Sequence, residues 1–341
     1  MNTINQNIRK KITLLNFILC VVILVYHSNC ARAMQYEYRD FFYYLSDCLT
    51  LFGHCAVPTF FALSAFLFYR NFSIDKYGEK MKSRFKSLVL PYLIWNTIYC
   101  VLFVSFHYIP LIEQNVNTTF PFNPIENLTG ILSSKFTPLW FVRNLIIYVI
   151  CSPLIYYIIK NRYIGLTAIC ITAAINMFFF TFAYKSVFHW LPIYLVGAYV
   201  GHHYSAKLMT SIFRSRMIAL FFLLIFTIAY TALVSFKNDL TFFIYRFLSP
   251  ICIWVLLDYL IHYDRQEERD YYKYSFFIYA NHFFILTALQ RIIINVIPTP
   301  QIAFGINYLL IPPIVLFLLI ITVRGLKKFF PKFYSVSVGG R

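Results

Sequence analysis

Long apolar runs alternate along this chain with short polar or charged stretches, and ten of the runs are long enough to matter. They lie near residues 11–30, 45–69, 87–109, 137–159, 164–183, 187–205, 216–236, 241–262, 274–296 and 303–323. A helix of about 17 to 25 apolar residues covers the roughly 30 Å hydrocarbon layer of a bilayer. It also satisfies its own backbone hydrogen bonds where no water can. The pattern therefore predicts an all-α, polytopic membrane protein with about ten transmembrane helices. Only a few residues separate the fifth run from the sixth and the seventh from the eighth, which predicts two antiparallel hairpins. No Gly-, Ser- or Pro-rich linker, internal repeat or low-complexity tract interrupts the series. We read one integral-membrane domain over residues 1–330 and a short basic cytoplasmic tail over 331–341.

Composition agrees, since 60% of the 341 residues are hydrophobic and only 13% charged. A water-soluble domain cannot hide that much apolar surface. The net charge of +17 adds an orientation, because Lys and Arg collect in short cytoplasmic loops. One side holds Arg9, Lys10, Lys11, Arg70, Lys76, Lys80, Lys82, Arg84, Lys86, Lys160, Arg162, Lys207, Arg214 and Arg216. It also holds Arg265, Arg269, Lys273, Arg324, Lys327, Lys328, Lys332 and Arg341, whereas the other has only Arg32, Arg39, Lys135, Lys185 and Lys237. Both termini are thus expected in the cytoplasm. Anionic membrane lipids account for the positive charge, and nucleic acid has no place in the reading. The basic start, first apolar run and Ala31-Arg32-Ala33 imitate a secretory signal, but its removal would leave nine spans and break the parity, so the segment is read as a retained span. The eight cysteines form no CxxC pair and read as small core residues. The sequons at Asn117 and Asn127 fall in the long outer loop and count only in a glycosylating pathway.

An ionisable residue inside a span is costly and is a functional candidate by default. The set is His27, His54, Arg143, Arg246, His282 and Arg291, with Asn16, Ser64, Asn96, Asn144 and Asn281 as polar companions. His27 lies about three quarters of the way along the first span, before Ser28 and Asn29. A neutral imidazole there offers a lone pair to a hydroxyl proton. A histidine that merely bonds a neighbouring helix is the plainer reading, and the residues alone leave both open. Arg143, six residues into the fourth span, needs an anion or several carbonyls unless it snorkels to the interface. Arg246 and Arg291, in outer halves, are read as snorkelling, and His189 and His202 as interfacial histidines near helix ends. On the cytoplasmic edge Lys82, Arg84 and Lys86 either anchor the chain on lipid headgroups or grip the phosphates of a soluble anionic donor.

Taken in order, several blocks resemble the bacterial integral-membrane acyltransferases of acyltransferase family 3. They are Val25-Tyr26-His27; Pro58-Thr59-Phe60-Phe61-Ala62-Leu63-Ser64-Ala65-Phe66-Leu67; Arg84 leading to Pro91-Tyr92-Leu93-Ile94-Trp95; and Pro138-Leu139-Trp140-Phe141-Val142-Arg143-Asn144-Leu145. Leu191-Pro192-Ile193-Tyr194-Leu195-Val196-Gly197-Ala198 and Ser275-Phe276-Phe277-Ile278-Tyr279-Ala280-Asn281-His282 complete the set. Members modify cell-surface polysaccharides and related acceptors, usually with acetyl groups. The resemblance implies His27 as the catalytic histidine and His282 as a second site residue. Many members carry an arginine one to three turns before that histidine, where this chain offers Asn16, and Ser-Gly where it has Ser64-Ala65. Arg143 is then the substitute cation, or the chain is a divergent or silent member.

The expectation is a multi-pass protein of the cell (inner) membrane that moves an acyl group from acyl-CoA to a hydroxyl of a surface polysaccharide or lipid-linked glycan. His27 would be the base, Arg143 the stabiliser of negative charge, His282 a partner, and Lys82, Arg84 and Lys86 the donor's phosphate grip. Acyl-CoA is a co-substrate, and no metal or tightly bound cofactor is implied. A Ser64 acyl-enzyme is disfavoured, because no base adjoins it in sequence. The alternatives are an exporter of polysaccharide or lipid-linked sugar, or a non-catalytic partner of the polysaccharide synthesis machinery.

Overall fold

The structure is a computed structural model that describes residues 6–109, 120–179, 182–210, 215–261 and 268–340. The described residues are helical, with no strand among them. In chain order α1 is Gln6–His27, α2 Phe41–Gly53, α3 Ala56–Tyr69, α4 Tyr77–Arg84, α5 Leu90–His107, α6 Pro124–Ser133, α7 Trp140–Ile150 and α8 Ser152–Lys160. Then follow α9 Arg162–Ala174, α10 Val187–Thr210, α11 Arg216–Phe236, α12 Asp239–Leu260, α13 Ser275–Val296, α14 Pro300–Leu309, α15 Ile311–Phe329 and α16 Pro331–Ser337. One π-turn, Phe85–Val89, joins α4 to α5, and another, Ile175–Phe179, extends α9.

Among the described residues five helical stretches are long and apolar enough to cross a membrane: Phe41–Tyr69, Ile74–His107, Arg216–Phe236, Asp239–Leu260 and Asp270–Val296. The number rises to seven if the bent pairs α7–α8 and α14–α15 each count as one span. Met217, Leu220, Phe221, Leu224 and Ile228 of α11 are all exposed and recur at helical spacing. Such a stripe suits hydrocarbon and not water. The chain is a membrane protein.

Prolines explain where continuous apolar runs break. Pro58 has no N–H for the carbonyl of His54, so the run 45–69 stops at Gly53 and restarts at Ala56. Pro153 accompanies a 66° bend between α7 and α8, and Pro312-Pro313 a 41° bend between α14 and α15. The basic stretch from Lys76 to Lys86 is helical and runs through the π-turn into α5, so the helix of the third run begins well before residue 87. The segment read as a tail contains α16, whose Tyr334 is buried. The sequon at Asn117, with Arg214, Arg265 and Arg341, lies outside the described residues. Asn127 is buried within α6, which hides its amide from a glycosylating enzyme.

The helices gather into two compact units. The first comprises Met1–Ser73 and Leu154–Ile321. In it α3 and α10 pack backbone to backbone: a Cβ added at Gly197 would lie 2.2 Å from the Ala62 carbonyl oxygen, and one at Gly201 2.5 Å from that of Phe66. The hairpin of α11 and α12 turns on Lys237 in the left-handed region, and Asn238 and Thr241 form a reciprocal capping box. Lys11 departs from its expected place on the cytoplasmic surface. It is fully buried, 2.8 Å from the equally buried Asp258, with its ammonium 3.5 Å from the centre of the Trp254 ring.

The second unit comprises Ile74–Pro153 and Thr322–Arg341. Trp95 donates through Nε1 to the Ser337 carbonyl at 2.9 Å, which fastens α16 to α5. Thr137 donates to Asn96 Oδ1 at 2.8 Å, and the Tyr92 hydroxyl bonds the Leu132 carbonyl at 2.7 Å, so buried polar groups brace the end of α6 against α5.

Candidate active site

Polar groups of the first unit converge where α1 ends and α2 gives way to α3. His27 is the last residue of α1, and the next carbonyl, at Ser28, would be orphaned at a helix end. Gln290 Nε2 of α13 donates to it at 2.8 Å. Gly53 permits the close approach of α2, since an added Cβ there would lie 2.9 Å from Tyr26 Cβ. A helix end, a side-chain amide and a missing methyl together hold His27 in place.

His282 of α13 stands beside it, with ring centroids 5.4 Å apart and planes tilted by 38°. The His282 Nδ1 lies 2.8 Å from the Tyr279 carbonyl and 3.2 Å from that of Ile278. Carbonyls only accept, so the proton of the neutral ring sits on Nδ1 and the Nε2 lone pair is bare. That Nε2 is buried and has no hydrogen-bond partner. His27 is half-buried, packs edge-on against Tyr26 and Phe283, and makes no hydrogen bond through its ring among the described residues. Two imidazoles with uncommitted nitrogens thus stand side by side.

Tyr26 links this pair to a second group. Its ring is 5.0 Å from that of His27 and 5.2 Å from that of His54, which sits in the break between α2 and α3. Arg246 of α12 donates to His54 Nδ1 at 3.2 Å and to His189 Nε2 of α10 at 3.3 Å. The His189 Nδ1 lies 3.1 Å from the Phe182 carbonyl, so it carries the proton and Nε2 is the acceptor. Arg246 is therefore not a snorkelling residue, and His189 is not a bystander at a helix end. The prolines matter again. Pro192 and Pro250 lack the N–H that would bond Phe188 and Arg246, and Asn176 and Ser249 side chains bond those carbonyls instead. With Pro58 and His54, this makes three places where a proline removes a backbone donor at or beside a site residue, a signal visible in the sequence once the residues are known.

Arg143 belongs to the second unit, where it donates to the Ser133 carbonyl at 2.9 Å and to Asn144 Oδ1 at 3.1 Å. Lys82, Arg84 and Lys86 are also in the second unit; Lys82 and Lys86 are exposed and four residues apart, hence on one helical face, while Arg84 is half-buried. Ser64 of the first unit bonds no described histidine. An apolar cavity of about 220 Å³ in the first unit is bounded by Leu15, Ala62, Phe66, Gly197, Phe247 and Trp254.

The sequence profile of an acyltransferase domain matches residues 9–324, nearly the whole chain. The chain belongs to acyltransferase family 3. Neither the curated proteins nor the solved structures contain a match. Membership in acyltransferase family 3 makes the protein a membrane acyltransferase in general terms, and the match takes in both histidines of the pair and the whole Arg246 group.

Proposed function

We propose that this acyltransferase family 3 member transfers an acyl group, acetyl in the simplest case, from a cytoplasmic acyl-CoA to a hydroxyl of a surface polysaccharide or its lipid-linked precursor. The observation that carries the reading is the His27–His282 pair, with its bare Nε2 and half-buried, unbonded partner ring. In the reaction His27 takes the proton as the acceptor oxygen attacks the thioester carbonyl. The C–S bond then breaks, and the imidazolium returns the proton to the leaving coenzyme A thiolate. His282, with its tautomer held by backbone carbonyls, stands beside His27 with Nε2 unprotonated and steadies the proton-bearing ring.

Lys82, Arg84 and Lys86 hold the donor's phosphates in this reading, the two exposed lysines making first contact. Arg143 acts as a positioning residue, because its bonds to Ser133 and Asn144 brace the end of α6. The topology proposed with it has ten spans, both termini in the cytoplasm and His27 toward the outer face of the cell membrane. An inner donor and an outer acceptor would then meet at one histidine.

The test is to compare wild type with His27→Ala in the host, measuring O-acyl groups on the surface glycan and the total glycan exported. The expected result is loss of acyl groups with export maintained. Unchanged acylation would overturn the reading, and loss of export with normal acylation of the remainder would favour a transporter.

A further inference from the structure

We infer that Arg246, His54 and His189 form an anion-binding subsite that takes a carboxylate or phosphate oxygen of a substrate beside the catalytic histidine. The guanidinium lies in a cage of aromatic faces, its carbon 5.0 Å from the ring centre of Tyr184, 4.9 Å from Phe242 and 5.8 Å from Trp190. Its two bonded side-chain partners are imidazoles. His189 is fixed as a neutral acceptor by its own bond to Phe182, and His54 accepts through Nδ1. Among the described residues no carboxylate lies within ion-pair distance of Arg246. Asp239, the acidic residue whose field reaches it, begins α12 seven residues earlier, about 10 Å away along the axis at 1.5 Å per residue.

Arg246 is half-buried, and a cation drawn from water is tolerated when an opposite charge or a full set of hydrogen bonds accompanies it. Neutral imidazoles and aromatic faces ease the burial of Arg246 but leave its charge in place. The hydrogen-bond set is also incomplete, because Arg246 Nε is buried with no partner. A guanidinium presents its N–H groups as a planar fork, and the Nε edge is the part of the fork that a carboxylate or phosphate oxygen would complete. His54 and Tyr26, in ring contact with each other, link Arg246 to the proposed base His27.

The site itself rests on the cluster; that its anion belongs to the donor or acceptor of acyl transfer rests on the function proposed above. Trp190 lines the cage and serves as the reporter. The purified full chain in a neutral detergent is titrated with inorganic phosphate and, separately, with acetate at constant ionic strength, while tryptophan fluorescence is followed. Wild type is expected to show a saturable change with at least one of the two. Arg246→Gln should raise the half-saturating concentration at least tenfold, and His27→Ala should leave it unchanged. A response to phosphate alone assigns a phosphate-bearing substrate, and a response to acetate alone a carboxylate-bearing one. No saturable response in wild type, or an equal one in Arg246→Gln, overturns the site. Should Arg246→Gln fail to fold, Arg246→Lys decides: loss of the fork should weaken binding several-fold, and unchanged binding overturns the proposal. Because the titration needs no acyl transfer, anion binding in a chain that acylates nothing would sink the enzymatic reading alone.

Discussion

Arg246 donates to His54 Nδ1 at 3.2 Å, a bond between the middle of one helix and the gap between two others. Through Tyr26 this bond abuts the His27–His282 pair, so the first unit gathers four histidines and an arginine from α1, the α2–α3 break, α10, α12 and α13. The arrangement leads to several measurable expectations.

The two histidines of the pair should fail differently. Removing a general base typically lowers the rate by about 10² to 10⁴, and His27→Ala should lie in that range for acyl transfer in isolated membranes. His282→Ala should lower the rate by a smaller factor, since its Nδ1 is committed to the backbone and only Nε2 is left unbonded. Equal rates for wild type and both variants would remove the pair from the mechanism.

Glycines of the first unit should separate packing from chemistry. Gly197→Val must push against the Ala62 backbone, which cannot yield as a side-chain tip can. Overpacking of this kind costs about 1–3 kcal/mol or more, so the thermal unfolding temperature in detergent should fall. Gly53→Ala intrudes on Tyr26 at 2.9 Å and should lower activity, because Tyr26 lies between His27 and His54. Gly78→Ala of α4 meets nothing within 4 Å and should be neutral or slightly stabilising.

Lys11→Met takes from the fully buried Asp258 the ammonium 2.8 Å away. Breaking one side of such a pair costs about 3–5 kcal/mol. The double variant Lys11→Met with Asp258→Leu should recover much of that loss, and a double-mutant cycle of unfolding temperatures is the measurement. If the single and double variants are equally unstable, the pair is not coupled.

The basic stretch should show a division of labour. Lys82→Gln with Lys86→Gln removes two exposed charges from one face of the α4–α5 junction and should weaken labelled acyl-CoA binding to membranes, most at low salt. The loss should shrink as salt rises, because exposed charges are screened. Wild-type binding in the double variant would mark these lysines as a topological anchor.

What the amino-acid order determined by itself is what depends on one dimension. Membrane character and helices follow from run length, and the candidacy of His27 from the cost of polar groups in hydrocarbon together with the family resemblance. Even the breaks are local, since Pro58, Pro153 and Pro312 remove backbone donors wherever they stand. Other features depend on which helix faces which, and depth along separate helices carries no lateral information. Arg246 and His189 look like interfacial residues until α10 and α12 bring them together with His54. That Arg143 bonds Ser133 and Asn144 within the second unit is likewise visible only in three dimensions. The His282 tautomer, too, needs carbonyls at bonding distance. Tertiary packing decided these points, because it alone sets helix azimuths through contacts such as Gly53 on Tyr26 and Gly197 on Ala62.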